Sequence, residues 1–372
     1  MSRDALVKLF CELVQIDSLS KHEAAFASVI KDKLASMGLA VKDDGAGLRL
    51  GGDCGNLICR VPATAEGFPV IMLNTHIDTV GDDTGIQPIV EDDEIHSAGD
   101  TILGADAKAG ITLILAALKA LDEQKLPHGE LVVVFTVAEE IGLVGAQHLD
   151  YEMLQPLPQM AYVLDGGITP GEMTVQAPYA NNITFEVRGK AAHAGVEPEA
   201  GINAIQVAAQ AISQMKLGRL DDESTANIGT IQGGSATNIV PEMVTFKGEA
   251  RSHQEEKLIR QTRHMCQKVE EAAADVGAKV KITTERSYNG FALGPYDTVV
   301  QRGIAAAEQV GLQPRLHKGG GGSDANIFNE HRIPSVIIAT GAHKPHTSEE
   351  LLHIPSMMRC FEWLLAIITL QQ

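Results

Sequence analysis

The sequence predicts an α/β fold, a mixed sheet flanked by helices, with a smaller α+β unit inserted into it. Three observations lead there. Helical and strand-like patterns alternate through the first half of the chain, as they do where helices pack on a sheet. ELVVVFTVAEE, residues 130–140, is a β-branched run too apolar to expose either face. From about Tyr179 the texture changes to strand, helix, strand, strand, helix, strand, and the α/β texture returns after Tyr288. At 372 residues the chain exceeds what one core usually organises. Two domains are therefore expected: residues 1–178 with 291–372 as one discontinuous α/β domain, and residues 179–290 as the insertion.

Taken in order, the elements justify that outline. Arg3 to Val14 and His22 to Met37 are amphipathic at helical spacing, and strands follow near Asn56–Val61 and Val70–Asn74. LGADAKAGITLILAALKAL, residues 103–121, is a turn leading into an apolar helix; AYVLDGG, residues 161–167, is a short buried strand. The insertion contains the strands NITFEVRGK, TANIGTIQGG, MVTFKGEARS and KVKITTERS, with helices over Gly201–Met215 and Gln254–Val276. Beyond it come a helix over Thr298–Val310, the strand SVIIAT and a closing helix from Ser356 to Leu370. The glycine-rich KGGGGSDAN, residues 318–326, lacks the GK[ST] of a nucleotide loop and reads as a tight turn.

Composition narrows the function. Hydrophobic residues at 44% with 21% charged exclude a disordered chain. A formal net charge of −18 argues against nucleic acid and anionic membrane as partners, since a phosphate surface would be repelled. The first twenty residues carry Asp4 and Glu12 where a signal peptide would be apolar, no stretch of eighteen apolar residues occurs, and the five scattered cysteines include no CxxC pair. A cytoplasmic protein with reduced thiols is expected.

Acidic and histidine residues gather at the ends of apolar elements: His76 and Asp78 in IMLNTHIDTV, Asp106 in GADAK, Glu139 and Glu140 in VAEEIG, Asp165 in LDGG. Residues two apart in a strand share a face, so His76 and Asp78 point the same way. Adjacent carboxylates closing a buried strand repel each other, and one keeps a proton unless a cation compensates. With a second histidine from GAHKPHTSEE, where His343 and His346 compete with each other and with His353 just beyond, the set suits Zn²⁺, Mn²⁺ or Co²⁺.

HIDTV, GADAKAG, VAEEIG, LDGG, GKAAHAG, GGSATNIVPE and PHTSEE, in that order, resemble the M20 family of dinuclear zinc exopeptidases and amidohydrolases, most closely its peptidase T-like branch. The resemblance implies a zinc-exopeptidase-like catalytic domain and a ferredoxin-like lid, the insertion, through which the chain forms a homodimer. It implies His76 and Asp165 as terminal ligands of one metal, Glu140 and His346 as ligands of the other, and Asp106 as the bridge; His346 is preferred because it alone begins the HTSxE run. Asp78 would hold the distal nitrogen of His76. Glu139 would be the general base, His193 and Asn238 donors to the oxyanion, Arg251 the partner of a substrate carboxylate, and Gly322 and Ser323 backbone donors along the substrate. Two divalent ions are implied, Zn²⁺ foremost. The implied activity is removal of the N-terminal residue from short peptides, in the manner of a tripeptidase. The alternative is cleavage of N-acyl or N-carbamoyl amino acids on the same fold. A silent scaffold would lack a ligand or the base, and all six residues are present. Tripeptide-cleaving members often carry an acidic residue after the bridging aspartate and an NNVHPG-like run at the lid histidine; here stand Ala107 and KAAHAG.

Overall fold

The computed structural model describes residues 1–371 and resolves into two compact units, Met1–Gln176 with the chain from Ala292 onward, and Ala177–Phe291. Helix α1 (Arg3–Val14) starts at Ser2, whose hydroxyl accepts from the Ala5 amide, and buries Leu6, Phe10, Leu13 and Val14 along one stripe. After α2 (Ala24–Ser36), β1 (Val41–Asp43), α3 (Ala46–Leu50) and β2 (Leu57–Val61) comes β3 (Ile71–His76), buried at every position. Strands β4 (Pro88–Glu91) and β5 (Glu94–Ser97) form an antiparallel hairpin. Helix α4 (Ala105–Gln124) is apolar almost all round because it lies inside the unit. At Gly110 a Cβ would stand 2.2 Å from the Leu164 carbonyl and 2.6 Å from Thr75 Oγ1, so only glycine lets the helix approach the sheet so closely.

Strand β6 (Leu131–Thr136) is shorter than the expected 130–140 run. Val137 to Glu140 leave the ladder as a turn because Ala138 adopts φ 53°, which no strand tolerates. Helix α5 (Val144–Gln147) and strands β7 (Met160–Gly166) and β8 (Glu172–Ala177) follow.

The second unit contains β9 (Tyr179–Arg188), α6 (Ala204–Gln214), β10 (Gly218–Asp221), β11 (Ser224–Gly233), β12 (Met243–Ser252), α7 (Glu255–Ala274) and β13 (Lys279–Tyr288). Its antiparallel sheet runs β10-β11-β12-β9-β13, the ferredoxin-like order with β10 added at one edge. Alternate residues of β9 and β12 face the two helices. Phe185 stacks on Phe246 at 4.6 Å, and Val207, Ala211, Leu258, Met265 and Val269 close the core.

The chain then adds β14 (Phe291–Ala292), α8 (Thr298–Gln309), β15 (Arg315–Lys318), α9 (Asp324–Glu330), β16 (Ser335–Ala339), β17 (Ala342–His343), β18 (Leu351–His353) and α10 (Ile354–Thr369) to the first unit. The large mixed sheet has the order β1-β2-β6-β3-β7-β16-β8-β14, with β15 paired to β8. Strands β6, β3, β7 and β16 are mutually parallel, whereas β2 and β8 join antiparallel on either side. Four adjacent strands therefore point their carboxyl ends to one edge, the place where open α/β sheets build sites. A small sheet, β17-β18-β5-β4, is separate. Among the described residues no helix is long and apolar enough to cross a membrane.

Candidate active site

Each of those four strand ends delivers a polar group. His76 closes β3 and is 2% exposed, Asp165 lies near the end of β7, Glu139 and Glu140 occupy the turn after β6, and the loop between β17 and β18, just beyond β16, carries His346. Asp106 arrives from the start of α4. Its amide donates to Glu350 Oε1 at 2.9 Å, while Leu103 and Gly104 amides donate to Glu350 Oε2 at 2.9 and 2.8 Å. The single carboxylate of Glu350, 1% exposed, thus fixes the loop that aims Asp106.

The two oxygens of Asp106 face different groups. Oδ1 lies 3.0 Å from His76 Nε2, which is also 3.7 Å from Asp165 Oδ1. Oδ2 lies 3.3 Å from His346 Nε2, itself 3.2 Å from Glu140 Oε1. Glu140 Oε1 is buried with no aligned hydrogen bond. Ligand atoms of His76, Asp106 and Glu140 all fall within 4.8 Å of one another. Two imidazoles and two carboxylates around one shared carboxylate, with a buried acceptor oxygen lacking an aligned donor, is a donor set that fits divalent cations. Glu23, Asp53 and Cys54 form a second close group, away from these strand ends in sequence.

Charge in this cluster is finely set. Burial works against a charged His76, but hydrogen bonds that the imidazolium donates to Asp106, Asp165 and Asp78 outweigh it and hold the imidazole well above its usual pKa. For Asp106 burial is outweighed by His346 and His76, which keep the carboxyl below its usual range. Burial, with the charge of Asp106, pushes Asp165 up to about 7. The nearby Asp106 and Glu140 carboxylates raise His346 to about 10. Burial drives Glu139 well above an ordinary carboxyl, the direction that favours holding a proton.

Asp78 is fully buried and has partners besides His76. His76 Nδ1 is nearest the Asp78 backbone carbonyl, at 3.0 Å, and is 3.4 Å from its carboxylate. The carboxylate makes shorter contacts elsewhere: Oδ1 accepts from the Glu139 amide at 3.0 Å, Oδ2 from the Glu140 amide at 3.1 Å and from Ser20 Oγ at 2.6 Å. It orients the two glutamates at least as much as the histidine. Ser323 caps α9, and its amide donates to Asn326 Oδ1 at 3.1 Å. Next to it Asp324 is buried, accepts from Thr136 Oγ1 and is pushed by burial to about 6. His343 is exposed and His353 caps α10, so neither competes with His346.

In the second unit His193 and Asn238 are exposed and adjacent: His193 bridges Ile239, and the Ala194 amide donates to the Asn238 carbonyl at 3.0 Å. Arg251 is not with them. It lies on β12 opposite Ala180, donating to Glu249 Oε2 at 2.9 Å, at the far end of the strand from Asn238.

Glu350 and Glu23 have no local signature. Each acts on amides far along the chain, and only the final glutamate of PHTSEE, part of the HTSxE run, hinted at the former.

Residues 180–276 match the M20 peptidase dimerisation domain, and residues 85–185 match the M42 glutamyl aminopeptidase family. The uncharacterized protein YqjE of Bacillus subtilis (strain 168) is 42% identical over 98% of this chain and 97% of its own. The crystal structure of aminopeptidase PepT from Bacillus cereus ATCC 10987 superposes with a TM-score of 0.87 at 41% identity, covering 99% of this chain and 98% of that one. A tripeptidase from Staphylococcus aureus subsp. aureus Mu50 gives 0.92 at 40% identity, with the same coverage. The chain belongs to the M20 peptidase family, on its peptidase T-like branch.

Proposed function

We propose that this chain is a dinuclear metal-dependent aminopeptidase that releases the N-terminal residue of short peptides. One observation carries the reading: the Asp106 carboxylate turns one oxygen to His76 and Asp165 and the other to His346 and Glu140. A carboxylate so placed suits a bridge between two cations, with His76 and Asp165 holding one and Glu140 and His346 the other; Zn²⁺ suits the mixed nitrogen and oxygen donors, and Co²⁺ or Mn²⁺ could replace it. When bound, such a pair supplies Lewis acidity, which brings the pKa of water from about 15.7 toward about 7.

Glu139 takes the proton from the attacking water and returns it to the leaving nitrogen; its burial and raised pKa favour holding that proton in between. Asp78 keeps Glu139 and Glu140 aimed through their amides. His193 and Asn238 offer donors to the developing oxyanion, Arg251 a bidentate fork to a peptide carboxylate, and Gly322 with Ser323 lines the substrate. Eight residues separate Met243, which follows the Asn238 loop, from Arg251, roughly 26 Å of strand. A tripeptide spans only about 10 Å. One lid therefore does not readily bring both ends of β12 to one substrate, which supports a homodimer in which the two ends serve different sites.

Substitution separates the roles. Glu139→Ala is expected to keep two equivalents of metal and lose about 10²–10⁴-fold in turnover, whereas His76→Ala loses metal. Near-normal turnover by Glu139→Ala would remove it as the base.

A further inference from the structure

The turn after β6 is held in an unusual way. Four consecutive amides each donate to a side-chain oxygen: Val137 to Asn56 Oδ1 at 3.1 Å, Ala138 to Glu23 Oε1 at 2.9 Å, then Glu139 and Glu140 to the two oxygens of Asp78. The carbonyls are engaged too. Ala138 accepts from the Val144 amide at 3.1 Å, and Glu139 from Gly142 and Leu143 at 2.9 and 2.7 Å. A turn of ordinary sequence closes on its own backbone; this one does so along its carbonyls and is fixed from outside along its amides.

Glu23 and Asn56 are unusual residues to find where they are. Glu23 is 1% exposed, although a glutamate rarely leaves water without a cation, and its carboxylate accepts from backbone amides. Asn56 is fully buried and cannot rotate freely: its Nδ2 donates to Asp44 Oδ2 at 2.8 Å and to the Gly145 carbonyl at 3.0 Å, so its Oδ1 stays aimed at Val137. Ala138, the position that Glu23 holds, has φ 53°, a conformation costing an L-residue about 1–2 kcal/mol, so it needs an external acceptor to persist. Gly145 presses against the same turn; a Cβ there would meet the Val137 carbonyl at 1.9 Å.

We propose that Glu23 and Asn56 are positioning residues for the reaction, setting the direction of Glu139 and Glu140 through the amides of Ala138 and Val137. The inference rests on the roles given above to those two glutamates. It extends the aiming of the site to α2 and the loop before β2, which contribute no group to the cluster itself.

Glu23→Met removes the acceptor at similar length, and Glu23→Gln keeps an acceptor oxygen. On a tripeptide, Glu23→Met is expected to lower kcat at least about tenfold with KM within about twofold and metal content unchanged, while Glu23→Gln recovers to within about threefold of the parent. Glu23→Met turning over like the parent, or Glu23→Gln falling as far as Glu23→Met, would overturn the inference. Should Glu23→Met fail to fold, hydrogen exchange in the unaltered protein decides. Amides 137–140 protected like those of β6 support the clamp, and exchange at free-loop rates contradicts it. A protein that protects these amides but cleaves no peptide would instead refute the peptidase reading and leave the fixed turn standing.

Discussion

Glu140 Oε1 and the raised imidazoles of His76 and His346 describe the same condition from two sides: a cluster of carboxylates in which protons occupy the places that suit cations. The direction of the pH effect follows. Both histidines keep their protons above the usual imidazole range, and a metal must displace them, so affinity rises with pH, by about tenfold per unit for each proton released. Metal titration across a pH series checks this; an affinity independent of pH would contradict it. The sequence made part of this cluster legible. His76 and Asp78 share a strand face by simple alternation, and two glutamates at the end of an apolar run call for a compensating charge. Glu350 and Glu23 were not legible, because a carboxylate accepting from amides more than a hundred positions away leaves no periodic trace. Nor did the sequence reveal that the Asp78 carboxylate serves the glutamates' amides, since residue types say nothing of which oxygen meets which donor.

Among the elements, long apolar ones were readable and short ones were not. Strand β3 and helix α4 follow from their patterns, whereas the small sheet of β4, β5, β17 and β18 is built from pieces of two to four residues, too brief to show alternation. Strand β6 was overextended for an instructive reason. Val137 and Ala138 are apolar and continue the run, but their amides leave the ladder for Asn56 and Glu23. Helix α4 depends on its glycine. Gly110→Ala places a methyl against the Leu164 carbonyl and is expected to destabilise the protein by about 1–3 kcal/mol, read as a lower midpoint in denaturant at unchanged slope. An unaltered midpoint would mean that the helix can shift away from the sheet without loss.

For the whole molecule, the change of texture near Tyr179 was the informative signal, and the second unit spans Ala177–Phe291 with its own core. Its ferredoxin-like sheet separates the His193 and Asn238 loops from Arg251 along β12, a separation that sequence order alone does not express as distance. If two chains complete each site, activity per chain should fall on dilution below the dimer's dissociation constant, in step with the loss of dimer in sedimentation; constant specific activity across that range would show that one chain suffices.

The central claim is that two metals and Glu139 cleave peptides with free N-termini. The direct test is amine release by chelator-stripped protein, with and without Zn²⁺, Co²⁺ or Mn²⁺, on matched tripeptides, dipeptides, N-acetyl amino acids and N-carbamoyl amino acids. Turnover restored by metal and confined to free-amine peptides is the expected result. Turnover confined to the blocked compounds, or undiminished by stripping, would contradict it.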